Sequence, residues 1–316
     1  MNLNKLKKIS GDASFRVFYR NKNSVLVYCN KEKKSNLLIY DAVNKILIKN
    51  KVLAPRLLSE NYKKDYIEIE DFGDLTVFKK LKKKNINKLY YYKKILNLLK
   101  KVQKIKVRKI KTFLKSAHKI SNYSHDKLIS EANLFLRWYL PKYIKGSKKI
   151  IVQKKISKIY KKLIKQLIYK KKVFVHRDFH VSNIMITKKG LGLIDNQDAI
   201  FGSVAYDLAS LIDDVRFKTN IKTKKFIFNE FLKINNSLNK KKFKNDFEIL
   251  SVMRNLKIIG IFTRLSVRDK KNKYLKLIPY AWKLIDLRLS NNEKFNSLKN
   301  VLDENFNKKI RNIYEN

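Results

Sequence analysis

Hydrophobic and polar positions alternate at strand spacing near the start of the chain. Residues 17–20 and Ser24–Cys29 alternate like two neighbouring strands, and Tyr66–Glu70 alternates like a third that leads into a polar turn at residues 71–74. Between them, residues 36–49 place apolar side chains at helical spacing. The pattern predicts a small, mainly antiparallel β region with one helix.

From about residue 75 onward the apolar spacing becomes helical. Two stripes, one within residues 92–102 and one within residues 156–167, are typical of helices that face a core. Residues 253–265 and 274–289 indicate further helices, whereas the polar end of the chain is expected to fray. Most of the chain is therefore predicted to be helical.

A stretch in the middle of the chain carries the clearest chemistry. His176-Arg177-Asp178 is followed, five residues after the aspartate, by Asn183, and Asp195 lies twelve residues further on. This is the H-R-D-x-x-x-x-N spacing of the catalytic loop of protein kinases. The ordered set Asp178, Asn183 and Asp195 is much harder to obtain by accident than an isolated H-R-D.

The spacing has a chemical reason. Phosphoryl transfer needs a carboxylate beside the acceptor hydroxyl, which Asp178 can supply, and oxygen ligands for the magnesium ions that bridge the phosphates. Residues 184–187 and 191–194 are short β-rich runs joined by a turn with a glycine. A hairpin there would bring Asn183 and Asp195 to the same end, close enough to share a metal.

Other polar residues have both a functional and a structural interpretation. His176 is expected to be a packed, hydrogen-bonded support, and His180 a surface or core histidine. Asp207, in the first turn of a predicted buried helix, is interpreted first as structural support. The aromatic-rich segment 129–141 is either a buried helix that Pro141 ends or the border of an acceptor pocket.

Two segments of the predicted β region are candidates for nucleotide binding. Gly11, Ser14 and Phe15 lie in a loop before the first strands, where kinase-like folds cover phosphates with backbone amides, although an ordinary hairpin loop fits as well. Glu70 ends the last predicted strand, at the position of a hinge that would pair with adenine. The alternative for Glu70 is a plain edge strand.

The charge is extreme but evenly spread. Lys and Arg number 75 against 26 acidic residues, a net charge of +49, and the lysines run along the whole chain. The abundance of Lys, Asn and Ile favours compositional drift in an AT-rich genome as the source of the charge. A functional polyanion-binding site stays open as the alternative. No specific nucleic-acid partner is expected, and weak nonspecific binding would follow from the charge alone.

Cysteine content and hydropathy indicate a cytoplasmic protein. Cys29 is the only cysteine, so no internal disulfide can form and a reducing compartment is expected. The N-terminus has no apolar core of a secretion signal, and no apolar run approaches the roughly 20 residues that span a bilayer. No membrane partner is expected, and the oligomeric state stays open.

Two groups of motifs carry a resemblance to a known family. HRDFHVSN and IDNQDA resemble the aminoglycoside phosphotransferase superfamily, whose fold is that of a small, two-lobed protein-kinase-like enzyme. GDASFRVFYR, EIEDFGD, EANLFLRWYL, IDNQDAIFGSVAYDLASLIDD and RNLKIIGIFTRLSVRDKKNKYLKLIPYAW resemble the bacterial anomeric sugar kinases, which phosphorylate C1 of N-acetylmuramate and N-acetylglucosamine during cell-wall recycling. These segments run from about residue 10 to 290.

The resemblance implies an α+β, protein-kinase-like two-lobed fold, with a small antiparallel β N-lobe at residues 1–73 and a larger, mainly helical C-lobe at residues 74–316. It implies ATP and Mg²⁺ as cofactors, Asp178 as base, and Asn183 and Asp195 as metal ligands. It also implies a phosphate-covering loop at residues 11–15, with Asp207 bracing the catalytic loop.

The expected reaction is transfer of the γ-phosphoryl group of ATP to the anomeric hydroxyl of an N-acetylated amino sugar. One alternative is the same chemistry on another small hydroxyl compound, such as an aminoglycoside, choline or homoserine. The other is a basic binding protein that keeps the fold but not catalysis. The intact set Asp178, Asn183 and Asp195 argues against the latter.

The chain departs from the family pattern at two places. Asn196 follows the metal-binding Asp195, where the family usually has Phe. The strand Ser24–Cys29 contains no lysine to pair with the α- and β-phosphates as in protein kinases, and it ends without the Asp-Ala-Pro turn of these sugar kinases. The cation of the phosphate clamp is thus left open between Arg16 and a nearby lysine.

Overall fold

A computed structural model describes residues 6–9, 16–290 and 292–315. The chain divides into two units, the first made of Met1–Asn122 and Val173–Phe201 and the second of Tyr123–Lys172 and Gly202–Asn316. The boundary predicted at residue 73 is a different division, and it stays a prediction.

The first unit is built on a five-stranded antiparallel sheet. The alternating segments form it as predicted, because their apolar positions share one face. Val27 and Ile67 on that face pack with Leu37 and Tyr40 of the first helix. The strand order is β1-β2-β3-β5-β4, with β1 (Lys7–Ile9), β2 (Arg16–Asn21), β3 (Ser24–Cys29), β4 (Leu57–Asn61) and β5 (Tyr66–Glu70).

The helices of the first unit are short or amphipathic. The apolar stripe predicted within residues 92–102 is the buried face of α3, from Tyr92 to Val102. The helices are α1 (Ser35–Lys49), α2 (Val77–Leu81) and α3 (Lys88–Gln103), followed by the small strands β6 (Lys109–Lys111) and β7 (Ala117–Lys119).

The predicted hairpin in the middle of the chain is confirmed. It joins β9 (Ile184–Thr187) to β10 (Gly190–Leu193), and Gly190 adopts a φ of 120° in its turn. Gly192 is needed for another reason, because a Cβ there would lie 2.6 Å from the Phe72 ring. The neighbouring strands β8 (Lys172–Val175) and β11 (Ile200–Ser203) pair with each other.

The second unit is helical and is centred on one long helix, α9. This helix buries side chains on most of its circumference, and Gly260 lets the backbone of Leu134 approach it, since an added Cβ would lie 2.2 Å from the Leu134 carbonyl carbon. The helices are α4 (His125–Leu134), α5 (Leu140–Tyr143), α6 (Gly146–Lys165), α7 (Tyr206–Ile212), α8 (Ile221–Ile234), α9 (Lys240–Val267), α10 (Ile278–Leu289), α11 (Asn296–Asn305) and α12 (Lys308–Arg311).

In the second unit, one of the two interpretations of the aromatic-rich segment and the prediction for the end of the chain are wrong. Pro141 does not end the aromatic-rich helix, because a π-helical segment, Phe135–Tyr139, leads into α5 and Pro141 lies in its first turn, where a missing N–H is tolerated. The polar end of the chain does not fray. It forms α11 and α12, and buried Arg311 donates to the carboxylates of Asp286 and Asp303 at 2.7 and 2.6 Å.

The predicted α+β class is confirmed by the antiparallel sheet and the mainly helical remainder. Within the described part of the chain, no helix combines the length and the apolar character that crossing a membrane requires.

Candidate active site

The predicted catalytic residues lie on two loops of the first unit that meet at the base of the hairpin. Asp178 and Asn183 lie on the loop that follows β8, and Asp195 follows β10. The Ile194 amide donates to the Asn183 carbonyl at 3.1 Å and joins the two loops. Arg177 and Asp195 adopt left-handed φ angles of 74° and 63°, a strain that clusters at functional sites.

Asn183 holds the loop of Asp178 in shape. Its Nδ2 donates to the Asp178 carbonyl at 3.0 Å, and the His180 amide donates to the same carbonyl at 3.0 Å. Because the amide nitrogen of Asn183 serves the loop, its oxygen Oδ1 is the atom that can face a cation. The structure thus brings Asn183 and Asp195 to one end of the hairpin, as the spacing predicts.

A cavity of about 380 Å³ in the first unit ends at these side chains. Asn183 and Asp195 line it together with Glu70. Its other walls are mostly apolar, formed by Phe18, Val25, Tyr40 and Ile69 from the sheet and α1 and by Met185 and Ile194 from the hairpin. An apolar chamber with a few convergent polar groups is the usual form of a small-molecule site.

Of the residues predicted to bind the nucleotide, the structure describes Glu70 alone. Glu70 lies at the cavity, where its amide donates to the Arg56 carbonyl at 2.9 Å and its carboxylate pairs with the Arg56 guanidinium. Its amide is therefore already used, and its contact with a base stays a prediction. Gly11, Ser14 and Phe15 lie outside the described residues.

The positive charge near Asp195 does not fully compensate its burial and the negative charge of Asp178. Arg16 donates to its Oδ1 at 2.8 Å, and the Gln197 amide donates to the same oxygen at 3.1 Å. Burial raises the pKa of the Asp195 carboxyl, Arg16 opposes that rise, and the charge of Asp178 adds to it. Two neighbouring carboxylates of this kind favour a cation between them.

The donor set fits a magnesium ion. Asn183 and Asp195 offer hard oxygen ligands, and Mg²⁺ characteristically takes one or two protein oxygens and completes its shell with phosphates and water. Within residues 6–9, 16–290 and 292–315, no cluster of three or more His, Cys, Asp or Glu side chains is arranged to hold a metal. A protein-only cage, such as zinc prefers, is therefore not formed by this part of the chain.

A buried polar network supports the two loops. His176, which is 0% exposed, contacts the Ile194 carbonyl at 3.1 Å and Asn196 Oδ1 at 2.9 Å through Nε2. Both partners are oxygens, so Nε2 carries the proton and His176 is the hydrogen-bonded support that was expected. Asn196 Nδ2 then donates to Asn44 Oδ1 at 2.9 Å and to the Leu193 carbonyl at 3.0 Å.

The network explains the departure at Asn196, but Asn44 was missed at the level of sequence. Asn44 lies on α1, is 2% exposed, and donates to the Pro55 carbonyl at 2.9 Å. The available signal was a polar residue within an apolar stripe, since Asn44 follows Leu37 and Tyr40 at helical spacing. Buried polar residues in such a stripe require a partner.

Arg20 was also missed. Its guanidinium donates to the carboxylates of Asp71 and Asp74 at 2.6 and 2.8 Å, which fastens the turn after β5 to β2. The Gly73 amide closes the same turn on Asp71 Oδ1 at 2.7 Å, and Gly73 itself has a φ of 79°. The turn that borders the cavity is thus held by side chains as well as backbone.

Comparisons with known proteins point in one direction. Residues 5–223 match the model of the phosphotransferase enzyme family. The N-acetylmuramate/N-acetylglucosamine kinase of Neisseria meningitidis serogroup B is 32% identical over 170 residues, which cover 51% of this chain and 50% of that protein. The kinase of the same name from Pseudomonas aeruginosa is 25% identical over 314 residues, which cover 93% of this chain and 86% of that protein.

Solved structures share the fold. A choline/ethanolamine kinase family protein from Mesorhizobium loti has a TM-score of 0.63 at 12% identity and covers 94% of this chain and 92% of its own. An ADP-bound aminoglycoside phosphotransferase has a TM-score of 0.61 at 16% identity, with 90% and 93% covered. At these identities the likeness shows the fold alone, and it confirms the predicted kinase-like architecture.

The family model spans most of the chain, including both loops of the site. Together with the kinase-named relatives, it makes this protein a transferase of phosphoryl groups to a hydroxyl acceptor. The chain belongs to the phosphotransferase enzyme family.

Proposed function

We propose that the protein transfers the γ-phosphoryl group of ATP to the anomeric hydroxyl of N-acetylmuramate or N-acetylglucosamine, in the cytoplasm and as a step of peptidoglycan recycling. The observation that carries the reaction type is the meeting of Asn183 and Asp195 at one end of a cavity, next to the loop of Asp178. The acceptor is supported by relatives named for it that match up to 93% of the chain.

Each residue of the site has one role in this proposal. Asp178 positions the acceptor hydroxyl and accepts its proton. Asn183 and Asp195 would hold Mg²⁺, which supplies positive charge against the phosphate oxygens when it is bound. His176 takes no part in proton transfer, because its Nε2–H is committed to Ile194 and Asn196.

The shape of the cavity supports a position for the nucleotide. Its apolar walls, with Val25 and Ile69 on one side and Met185 on the other, suit a flat aromatic base. Asn183 and Asp195 at its polar end suit the phosphates with their metal. In this arrangement the base lies toward Glu70, and Gly11–Phe15 would cover the phosphates as the resemblance implies.

A substrate panel tests the proposal as a whole. The protein is assayed for ATP consumption with Mg²⁺ against N-acetylmuramate, N-acetylglucosamine, an aminoglycoside, choline and homoserine, and products are identified by phosphorus NMR. A C1-phosphate of an amino sugar is expected. Turnover with a non-sugar alone would overturn the acceptor, and failure to bind Mg·ATP would overturn the enzyme assignment and favour a basic binding protein.

A single substitution tests the role of Asp178. Asp178→Asn removes the proton acceptor while keeping the shape of the side chain, so kcat is expected to fall by roughly 10³-fold or more. Nucleotide affinity, measured by calorimetry, should persist. Glu32→Gln is the control, because Glu32 is an exposed carboxylate of the same unit that lies outside the loops of the site, and it should leave kcat unchanged.

A further inference from the structure

The third described strand of the sheet has no lysine at the place of the usual cation of a kinase phosphate clamp. In protein kinases a lysine on the third strand pairs with the nucleotide phosphates. Here that strand, β3, reads SVLVYC, and the neighbouring strands β4 and β5 read LLSEN and YIEIE. None of the three carries a lysine or an arginine. If the protein binds a nucleoside triphosphate, the compensating charge must come from elsewhere.

The described strands of the sheet offer four cations, and three are poorly placed. Lys7 and Lys8 are exposed on the edge strand β1. Arg20 is committed to Asp71 and Asp74 at the turn after β5. Of the described residues in this sheet, Arg16 is the cation that reaches the loops of the site.

Arg16 starts β2 directly opposite Cys29, the last residue of β3. Neighbouring strands are only about 5 Å apart, so a long side chain on β2 covers the region that a β3 lysine would serve. Arg16 is 6% exposed, its guanidinium lies 5.6 Å from the Tyr40 ring centre, and its Nη2 donates to Asp195 Oδ1 at 2.8 Å. Tyr40 and Asp195 both line the cavity.

The geometry points to Arg16 as the phosphate-clamping cation of this enzyme, acting from β2 in place of a lysine on β3. The charge of Arg16 is paired with Asp195. When a nucleotide enters, Arg16 donates to the α- and β-phosphates while it keeps Asp195 oriented toward the metal position. A guanidinium suits this double task, because its fork of five N–H donors matches both carboxylates and phosphates. The inference rests on the proposed use of ATP.

Lys79 is the rival cation, since it lines the cavity, whereas Arg16 reaches the cavity wall through Tyr40 and Asp195. It is exposed on α2, and its charge acts on Asp74, at the turn that Arg20 holds. Lys79 therefore lies near the predicted base end of the cavity, whereas Arg16 lies at the metal end. This difference makes Lys79→Gln the matched control for Arg16→Gln, because both remove one positive charge beside the same cavity.

The test measures dissociation constants of ADP and adenosine by calorimetry, each with and without Mg²⁺, for the wild type and the variants. Arg16→Gln is expected to weaken ADP binding roughly 10- to 100-fold, as loss of a charge-assisted bond predicts, and to leave adenosine binding within about twofold. Arg16→Lys should recover most of the ADP affinity. Lys79→Gln should change the ratio of ADP to adenosine affinity little.

The magnesium-free measurement separates a phosphate contact from an effect through Asp195. If Arg16 touches the phosphates, the loss of ADP affinity persists without Mg²⁺. The inference is overturned if Arg16→Gln loses ADP affinity only in the presence of Mg²⁺. It is also overturned if Lys79→Gln loses ADP affinity while Arg16→Gln does not. Adenosine binding reports an intact fold, and if Arg16→Gln does not fold, the ADP-to-adenosine ratio of Arg16→Met, which keeps the length of the side chain without its charge, decides.

The same data keep this inference apart from the proposed function. A wild type that binds ADP while Arg16→Gln binds it equally well contradicts the role of Arg16 alone. A wild type that binds neither ADP nor ATP contradicts the use of ATP and, with it, the role of Arg16. The identity of the acceptor affects neither outcome.

Discussion

Asp195 in the first unit and Asp213 in the second show two ways in which a protein treats a carboxylate. Asp213 is 0% exposed and fully coordinated. Its Oδ1 accepts from Lys224 at 2.8 Å and from Arg288 at 2.9 Å, and its Oδ2 accepts from Ser251 at 2.6 Å and from Arg288 at 2.9 Å. Asp195 has one arginine and one amide, both on the same oxygen.

The pKa shifts of the two carboxyl groups follow the number of cations that contact them. Burial alone would raise the pKa of Asp213, but the charges of Lys224 and Arg288 outweigh it and hold the pKa below its usual value. Burial raises the pKa of Asp195, and its single arginine does not offset the combined effect of burial and Asp178. The side chain of Asp213 is enclosed by its partners, whereas that of Asp195 is 40% exposed beside the cavity, where a cation from outside can approach it.

The largest expected effect is on activity, from Asp195→Asn. The substitution removes the charge that would hold the metal at the phosphates, so kcat should fall roughly 10³- to 10⁵-fold, comparable to losing another charge-stabilising group in phosphoryl transfer. Stability should change by less than about 1 kcal/mol, because losing the Arg16 pair is offset by relief of the repulsion with Asp178. Steady-state kinetics and urea unfolding measure the two quantities. A variant that loses several kcal/mol of stability but keeps its kcat would reverse the comparison.

The second effect, from Asp213→Asn, is on stability and not on activity. This change leaves Lys224 and Arg288 without their shared carboxylate, and breaking a buried pair in this way costs about 3 kcal/mol or more in the free energy of unfolding. Urea unfolding followed by circular dichroism measures it, and kcat below the transition should stay near wild type. Glu304→Gln, which removes an exposed charge of the same unit, is the control and should be nearly neutral.

The site was predictable from sequence as far as its contacts are local. Asn183 and Asp195 are joined by a short hairpin, so the alternation of β9 and β10 with a glycine turn was enough to place them together. The contacts of Arg16 with Asp195 and of Asn44 with Asn196 span 179 and 152 residues. No periodicity encodes such pairs, because tertiary packing decides them.

At the end of the chain, composition was a poor guide to structure. Its composition is polar, but Leu298, Val301 and Leu302 form one buried face of α11, and Arg311 is fixed by two carboxylates. A short apolar stripe and a buried cation stabilise helices that composition alone does not indicate. Pro141 does not end the helix before it, because the π-helical segment Phe135–Tyr139 precedes a new α-helix and Pro141 lies in the first turn of that helix.

The third effect concerns the polar network behind the site. Asn196→Leu removes the partner of His176 and Asn44, so we expect a loss of roughly 1 to 3 kcal/mol in stability and about a tenfold loss in kcat as the loops lose their orientation. Asn44→Ala should have a similar cost. Because the two residues share one bond, the double variant should cost less than the sum, which a double-mutant cycle measures. Strict additivity would contradict the network.

The smallest effect is a pH dependence that tests whether Asp213 is ionised in the folded protein. A carboxyl whose pKa is lower in the folded state contributes stability that is fully present above its unfolded value of 3.8 and is lost as the pH falls through the folded pKa. Wild type should therefore lose stability below about pH 4 more steeply than Asp213→Asn, which has no such proton to take up. Unfolding free energies measured from pH 7 down into this range compare the slopes. Parallel curves would mean that Asp213 is not held ionised by Lys224 and Arg288, and the contrast with Asp195 would then rest on geometry alone.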